Sequence, residues 1–376
     1  MVTVQVNSLK LLAVVVAVFF FASNLSSVFL PVFFRDEGLS MVEIIEILLV
    51  TFLVTGLLPM GILKVVKNFE RVIVVGIFST MVFYIALIYI KTPIVLGLTY
   101  GTSLATFWPS FNLLQFKLSE STTRARVVSF YSAAIPSVAG ITAPAVGGFI
   151  IENFGFPVLF AFSIVLYLAA FLFAIFMPLK PEFRTFSIPR KKIFTIFFAT
   201  FILLGLSEAY WLAYPLFVHK IAGTTFEMGL VYTFSALIVA LIVALITFLV
   251  NWLSDVKKSR AKFAIIGAML YATWCFVIPY VSASQPIVLL SFVSGLAGAC
   301  YISWFALYGD SFVKEDYATI LVMMEVGLMI GRIMNLAPTY LFVSEANYVC
   351  YFVLLGFASL ILVPFYAMSE RNQLRT

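Results

Sequence analysis

The 376 residues are 63% hydrophobic and 11% charged, with a mean hydropathy of +1.11, whereas a soluble domain carries roughly 25% charged residues. The net charge of +6 forms no basic run interleaved with aromatics outside the apolar stretches, which excludes a nucleic-acid partner. The cysteines Cys275, Cys300 and Cys350 all fall inside apolar stretches, so neither a disulfide framework nor a zinc site is expected, and no cofactor motif is present.

A helix needs about 20 mostly apolar residues to cross a hydrocarbon core roughly 30 Å thick. Twelve such stretches follow one another, near residues 9–34, 42–63, 72–90, 93–116, 127–151, 157–177, 193–218, 228–250, 262–281, 286–308, 318–342 and 346–367. The first is too long for the apolar region of a signal peptide and lacks a small-residue cleavage site, so it is expected to remain as a helix. With the N-terminus inside, the inner segments hold 19 basic residues, among them Lys64, Lys67, Arg71, Arg124, Arg126 and the run Arg190–Lys192; the outer segments hold only Arg35, Lys91 and Lys220. Basic residues are retained on the cytoplasmic side during insertion. The expectation is a multi-pass protein of the plasma membrane with both termini cytoplasmic. The outer loops are too short for a folded receptor or catalytic domain.

In chain order, the first span carries Ser23, Asn24, Ser26 and Ser27 but no acid. Glu43 and Glu46 sit near the outer mouth of the second span, where solvation is the plain reading. The fourth span spaces Thr99, Ser103, Thr106 and Ser110 along one helical stripe, and Trp108, Asn112 and Gln115 along another. Such hydroxyls serve a polar ligand or bond to their own backbone. The fifth span is dense in Pro and Gly (Pro136, Gly140, Pro144, Gly147, Gly148), as is the eleventh (Gly327, Gly331), which permits bends and close packing. The basic, Pro-rich connection from Pro178 to Lys192 divides six spans from six. In the seventh span Glu208 is followed by Tyr210, Trp211 and Tyr214, and the single histidine, His219, closes it near the surface. The tenth span offers Tyr301, Ser303 and Trp304. The eleventh aligns Glu325, Arg332, Asn335 and Thr339 on one face.

Three ionisable side chains thus lie deep in spans: Glu208, Glu325 and Arg332. A charge at that depth costs at least about 2.5–3.5 kcal/mol. Glu208 lies about 22 Å along its span at 1.5 Å per residue, and Arg332 lies at nearly the same height. Two readings stand. Either an acid takes up and releases a proton while Arg332 tunes it or holds an anionic group, or the charges only satisfy one another.

The two sets of six spans echo each other, the sign of a duplicated architecture. SNLSSVFLPVFF and SEAYWLAYPLFV align Pro31 with Pro215 and Asn24 with Glu208. PIVL opens both the fourth and the tenth span. GILKVVKNFER and NWLSDVKKSR follow the second and the eighth.

These residues resemble the major facilitator superfamily of secondary transporters. LPVFFRDEGLSMVEI is similar to the family's passage from helix 1 to helix 2. The signature loop G-x-x-x-D-R-x-G-R-R is degenerate after the second span, where Val65 replaces the acid. It is better kept after the eighth, with Asp255, Lys257, Lys258 and Arg260. The run from Arg124 to Phe162 is similar to the family's loop 4–5 and helix 5, and Ala318 to Arg332 to its helix 11. The resemblance implies an all-α membrane fold of twelve helices in two pseudo-symmetric six-helix bundles, here residues 1–179 and 193–376 with a cytoplasmic linker at 180–192. It places helices 7 and 11 together, hence a Glu208–Arg332 pair. It lines a central cavity with helices 1, 4, 7 and 10, hence Asn24, Thr99, Ser103, Thr106, Trp108, Tyr210, Trp211, Tyr214, Tyr301 and Trp304, with Asn335 beside them. It makes Asp255 and its basic neighbours a conformational latch. The implied function is alternating-access transport of a small organic solute, coupled to protons, by a monomer that is not an enzyme. An uncoupled facilitator and a non-transporting sensor or scaffold remain the alternatives.

Overall fold

The structure, a computed structural model, describes residues 2–178, 188–189, 192–240, 249 and 260–373. Most of the expected linker at 180–192, together with Asp255, Lys257 and Lys258, lies outside the described residues. All regular structure among the described residues is helical. In chain order the helices are α1 (Lys10–Asp36), α2 (Met41–Val65), α3 (Phe69–Tyr89), α4 (Pro93–Lys117), α5 (Arg124–Gly140 and Ala143–Phe154), α6 (Phe156–Ile175), α7 (Lys192–Leu206 and Ala213–Ala222), α8 (Thr225–Ile238), α9 (Arg260–Tyr280), α10 (Ser284–Asp310), α11 (Lys314–Val343) and α12 (Tyr348–Gln373).

Eight of them are long and apolar enough to cross a membrane alone, and up to ten crossings result if each bent pair counts as one. α4 is as long as α2, at 25 residues each, but carries the Thr, Ser, Asn and Gln stripes that lower its apolarity. α5 bends by 42° between its two pieces. The turn from Ala213–Ala222 into α8 is 114°, too sharp for one straight crossing.

The continuous seventh span expected from sequence is corrected: it is unwound from Ser207 to Leu212. Pro215 is the physical reason. It has no N–H to give the Trp211 carbonyl, and its ring would collide with that carbonyl in a regular helix. The Tyr214 N–H reaches back instead to Ala209 O at 3.0 Å. The aligned proline, Pro31, follows a 3-10 turn at Ser27–Phe29 in α1, so the repeat extends to the backbone.

Within the first six helices α4 packs on α2 and α3, and α6 packs on α1 and α3. Within the last six, α9 packs on α10 and α12, and α7 packs on α11. Two seams join the bundles, α2 with α11 and α5 with α8. At the second seam a Cβ on Gly148 would meet the Thr225 carbonyl and stand 2.9 Å from the Phe226 Cα, so the backbones touch directly. The end of the molecule that carries Lys64, Lys67 and Arg71 is called the basic end below.

Candidate functional site

Glu208 sits in the unwound stretch of α7, where backbone groups have lost their helical partners. A freed carbonyl in a membrane interior must find a donor. Asn335 of α11 supplies it, its Nδ2 donating to Glu208 O at 2.7 Å, and the Tyr271 hydroxyl of α9 donates to Ser207 O at 2.9 Å. Glycines bring the helices close enough. A Cβ on Gly331 would run into the Ile202 carbonyl and lie 2.7 Å from Leu206 N, and one on Gly205 would lie 3.0 Å from Arg332 N.

That contact delivers Arg332 to Glu208. Its Nε donates to Glu208 Oε2 at 2.7 Å and its Nη2 to Oε1 at 3.1 Å, a two-pronged charge-assisted pair. The Trp211 indole N–H also donates to Glu208 Oε2. The guanidinium lies 5.0 Å from the Trp211 ring centre and 5.8 Å from that of Phe52, a residue of α2 in the other bundle. Glu325 lies seven residues earlier on the same face of α11. Its Oε2 is 3.6 Å from Arg332 Nη1, an ion pair beyond hydrogen-bond length. Both Glu325 and Arg332 are buried.

The three charges lie on the wall of a cavity of about 660 Å³ between the bundles. Of the residues expected there, Trp108, Tyr210, Trp211 and Tyr301 line it. Asn335 instead lines a void of about 10 Å³ on the other side of Glu208 and Arg332, with Thr339 and Tyr351. Asn335 Oδ1 accepts from the Tyr351 hydroxyl at 3.2 Å, so that side chain is spent on holding α7 to α11 and α12.

Six expected cavity residues are placed elsewhere, for local reasons. Asn24 donates its Nδ2 to Pro136 O at 3.1 Å, capping a carbonyl of the bent α5. The hydroxyls of Thr99, Ser103 and Thr106 turn back onto Val95 O, Tyr100 O and Thr102 O of their own helix. Tyr214 packs edge-on against Trp274 at 5.2 Å. Trp304 is 0% exposed, held among Phe197, Phe201 and Tyr366. The cavity takes its polar wall instead from Asn112, Ser129, Ser132 and Ser137, and its aromatic floor from Tyr271 and Tyr366. Ser132 is placed by its bond to Gln115 Oε1 at 3.0 Å, inside a π-helical segment of α5, Phe130–Ala134. The Pro136 that ends the π segment was the visible signal for it.

At the basic end Asp310, the last residue of α10, receives Arg124 of α5 on one oxygen and Arg260 of α9 on the other. Arg124 also donates to the Tyr317 hydroxyl at 2.7 Å, and Arg260 to Ser121 O at 2.9 Å, so the cluster ties the two bundles. Arg260 was expected in a latch with Asp255; among the described residues its acid is Asp310. The degenerate loop after α2 has an acid after all, Glu70, which pairs with Lys117 inside its own bundle.

A cavity gripped between two membrane-spanning bundles, with its charges gathered on the inner wall, defines a transporter. Sequence comparison agrees: the Major Facilitator Superfamily profile matches residues 12–239. The chain belongs to that superfamily.

Two relatives are distant and unassigned. An uncharacterised protein of the sodM 3′ region of Geobacillus stearothermophilus is 26% identical over 164 residues, 40% of this chain and 73% of that one. The uncharacterised YqgE of Bacillus subtilis strain 168 is 25% identical over 155 residues, 38% of this chain and 34% of that one. Solved structures match the whole fold. FucP, a Major Facilitator Superfamily transporter in an outward conformation, has a TM-score of 0.70 at 13% identity, covering 97% of this chain and 99% of its own. FucP of E. coli is a fucose:proton symporter in the words of a second structure. The human organic anion transporter MFSD10 has a TM-score of 0.66 at 11% identity, covering 96% and 99%. At such identities the likeness is one of fold.

Proposed function

We propose that the protein carries a small organic solute across the plasma membrane by alternating access, coupled to protons, as a monomer with both termini in the cytoplasm. The halves that rock are residues 1–179 and 193–376. One observation carries the coupling: two carboxylates share one guanidinium on the wall of the cavity. Glu208 is engaged by Arg332 twice and by Trp211. Glu325 has one long contact with the same Arg332. Glu325 is therefore the group free to gain and lose a proton, and Glu208 holds Arg332 and the broken α7 in place. That a neighbour of the same fold is a fucose:proton symporter is consistent with this division.

Trp108, Tyr210, Trp211 and Tyr301 give the solute apolar contact with polar edges. The Arg124–Asp310–Arg260 cluster is the latch on the cytoplasmic side; Asp255, Lys257 and Lys258, outside the described residues, are assigned to the latch on the loop motif alone. Purified protein in liposomes, given a pH gradient, tests the assignment. Glu325→Gln is expected to lower gradient-driven solute flux at least tenfold. Gradient dependence that survives in Glu325→Gln removes Glu325 from coupling, and parent flux that a pH gradient leaves unchanged identifies an uncoupled facilitator.

A further inference from the structure

The charge balance of the cavity selects a class of solute. Among the described residues its wall holds Glu208, Glu325 and Arg332 and no other acid or base. Glu325 faces Arg332 on its own helix, Glu208 from α7 and the phenol of Tyr301 from α10, while Tyr271 (α9) and Tyr366 (α12) line the same cavity. α2 and α4 bring Thr55, Trp108 and Asn112, with Tyr100 within electrostatic reach of Arg332.

With Glu208, Glu325 and Arg332 all ionised, the described wall carries one surplus negative charge. An isolated charge is not tolerated at membrane depth, so the surplus is cancelled by whatever cation the site holds. Arg332 cannot do it, because Glu208 takes up its Nε and Nη2. A proton on Glu325 can, and so can a positively charged solute.

Resting on the coupling role proposed above for Glu325, we infer that the solute is an organic cation with an aromatic or bulky apolar body, which displaces the proton from Glu325 on binding. The step balances as Glu325–COOH plus solute cation giving Glu325–COO⁻ paired with the cation plus one released proton. Occupancy by proton and by solute is mutually exclusive, so the two cross in opposite directions. The surroundings suit such a body. Trp108, Tyr210, Trp211, Tyr271, Tyr301 and Tyr366 present ring faces and edges to the cavity, and rings attract a cation through their negative faces. The volume of about 660 Å³ is that of a site for a drug-sized molecule. An anion would add to the surplus charge instead of cancelling it.

A pair of probes isolates the sign of charge from shape: tetraphenylphosphonium and tetraphenylborate have the same four-ring body and opposite charge. Equilibrium dialysis against the detergent-purified full chain is expected to show the phosphonium binding at least tenfold tighter than the borate. Binding in weak buffer is expected to release protons, near one per site below the pH at which Glu325 ionises. Glu325→Gln is expected to lower phosphonium affinity at least tenfold, stop proton release and raise borate affinity. The last change is a gain that misfolded protein does not give, and an unchanged thermal transition confirms the fold. Glu325→Asp is expected to restore part of the phosphonium affinity.

Equal affinities, a preference for the borate, no phosphonium binding at all, or a Glu325→Gln variant that binds phosphonium as the parent does each overturns the inference. The two proposals fail separately. Loss of pH-driven flux in Glu325→Gln together with a borate preference leaves the coupling role standing and removes the cation. Phosphonium selectivity that depends on Glu325, without any pH-driven flux, retains the cation and removes the coupling.

Discussion

Glu208, Glu325 and Arg332 could be found without coordinates because burying charge in a membrane is so costly that three such residues in one chain stand out. Equal height along their spans then pairs two of them, and the structure brings those two together at 2.7 Å. The hydroxyl stripe of α4 shows the limit of the same reasoning. Periodicity puts Thr99, Ser103 and Thr106 in line, but a Ser or Thr in a helix can always bond the carbonyl a turn back, and spacing carries no sign of that choice. Asn24 and Asn335 misled for a related reason. Each amide donates to a backbone carbonyl of another helix, Pro136 O for Asn24 and, for Asn335, the Glu208 carbonyl freed by the break in α7, roles that spacing does not reveal. Glycines sort more cleanly. A Cβ at Gly331 meets the α7 backbone, whereas one at Gly298 meets nothing within 4 Å. Gly331→Ala is therefore expected to destabilise the protein by about 1–3 kcal/mol and to part Arg332 from Glu208. Gly298→Ala is expected to change stability by less than about 0.5 kcal/mol. Thermal unfolding of the two variants in the same detergent measures the contrast; equal transitions would show that α7 and α11 are not pressed together through Gly331.

At the level of helices, twelve apolar stretches told where the chain is helical but not where a helix fails. α5 and α7 are interrupted, and both interruptions lie near prolines that the sequence displays. Proline alone does not locate a break, because Pro59, Pro109 and Pro364 sit inside unbroken helices. What distinguishes Pro215 is a set of donors waiting for the freed carbonyls, Asn335 and the Tyr271 hydroxyl, and these come from helices more than 50 positions away in sequence. The break has a use. It lets the Glu208 side chain and its own carbonyl both face α11, which a regular helix would not allow. Pro215→Ala removes the collision that keeps α7 open. The helix is then expected to extend through residues 207–212, raising or preserving thermal stability while lowering transport at least tenfold, because Glu208 rotates away from Arg332. Hydrogen exchange of the Ser207–Leu212 amides reports the rewinding directly. Exchange as fast as in the parent would mean that Asn335 and Tyr271, and not Pro215, hold the stretch unwound.

For the molecule as a whole, the repeat predicts that each seam has a counterpart, and α2 with α11 mirrors α5 with α8 when the halves are exchanged. A motif search alone cannot say which charges lock the seams. It directs attention to Asp255, while the described charge cluster between the halves centres on Asp310, a residue at the end of an apolar span that belongs to none of the motif pieces. Asp310 joins Arg124 from one half to Arg260 from the other, both of which are buried, so its charge does two things at once. It binds each guanidinium, and it screens two like charges from one another. Hydrogen bonds to charged groups are worth about 1.5–3 kcal/mol each. Asp310→Asn keeps the shape, weakens both bonds and leaves the arginines in mutual repulsion, so the closed form of this end is expected to lose about 1.4–2.8 kcal/mol, a 10- to 100-fold shift in population. Spin labels at Ser121→Cys and Glu315→Cys, both exposed positions at the basic end, would read the change as a longer and broader distance distribution in a background free of native cysteines. Arg260→Gln in the same background is expected to shift the distribution less, because it removes one bond but also one of the repelling charges. A distribution that stays narrow in Asp310→Asn would place the closing energy in the aromatic contact of Phe116 with Phe305 and Tyr317, at 4.9 and 5.5 Å, instead of in the charges.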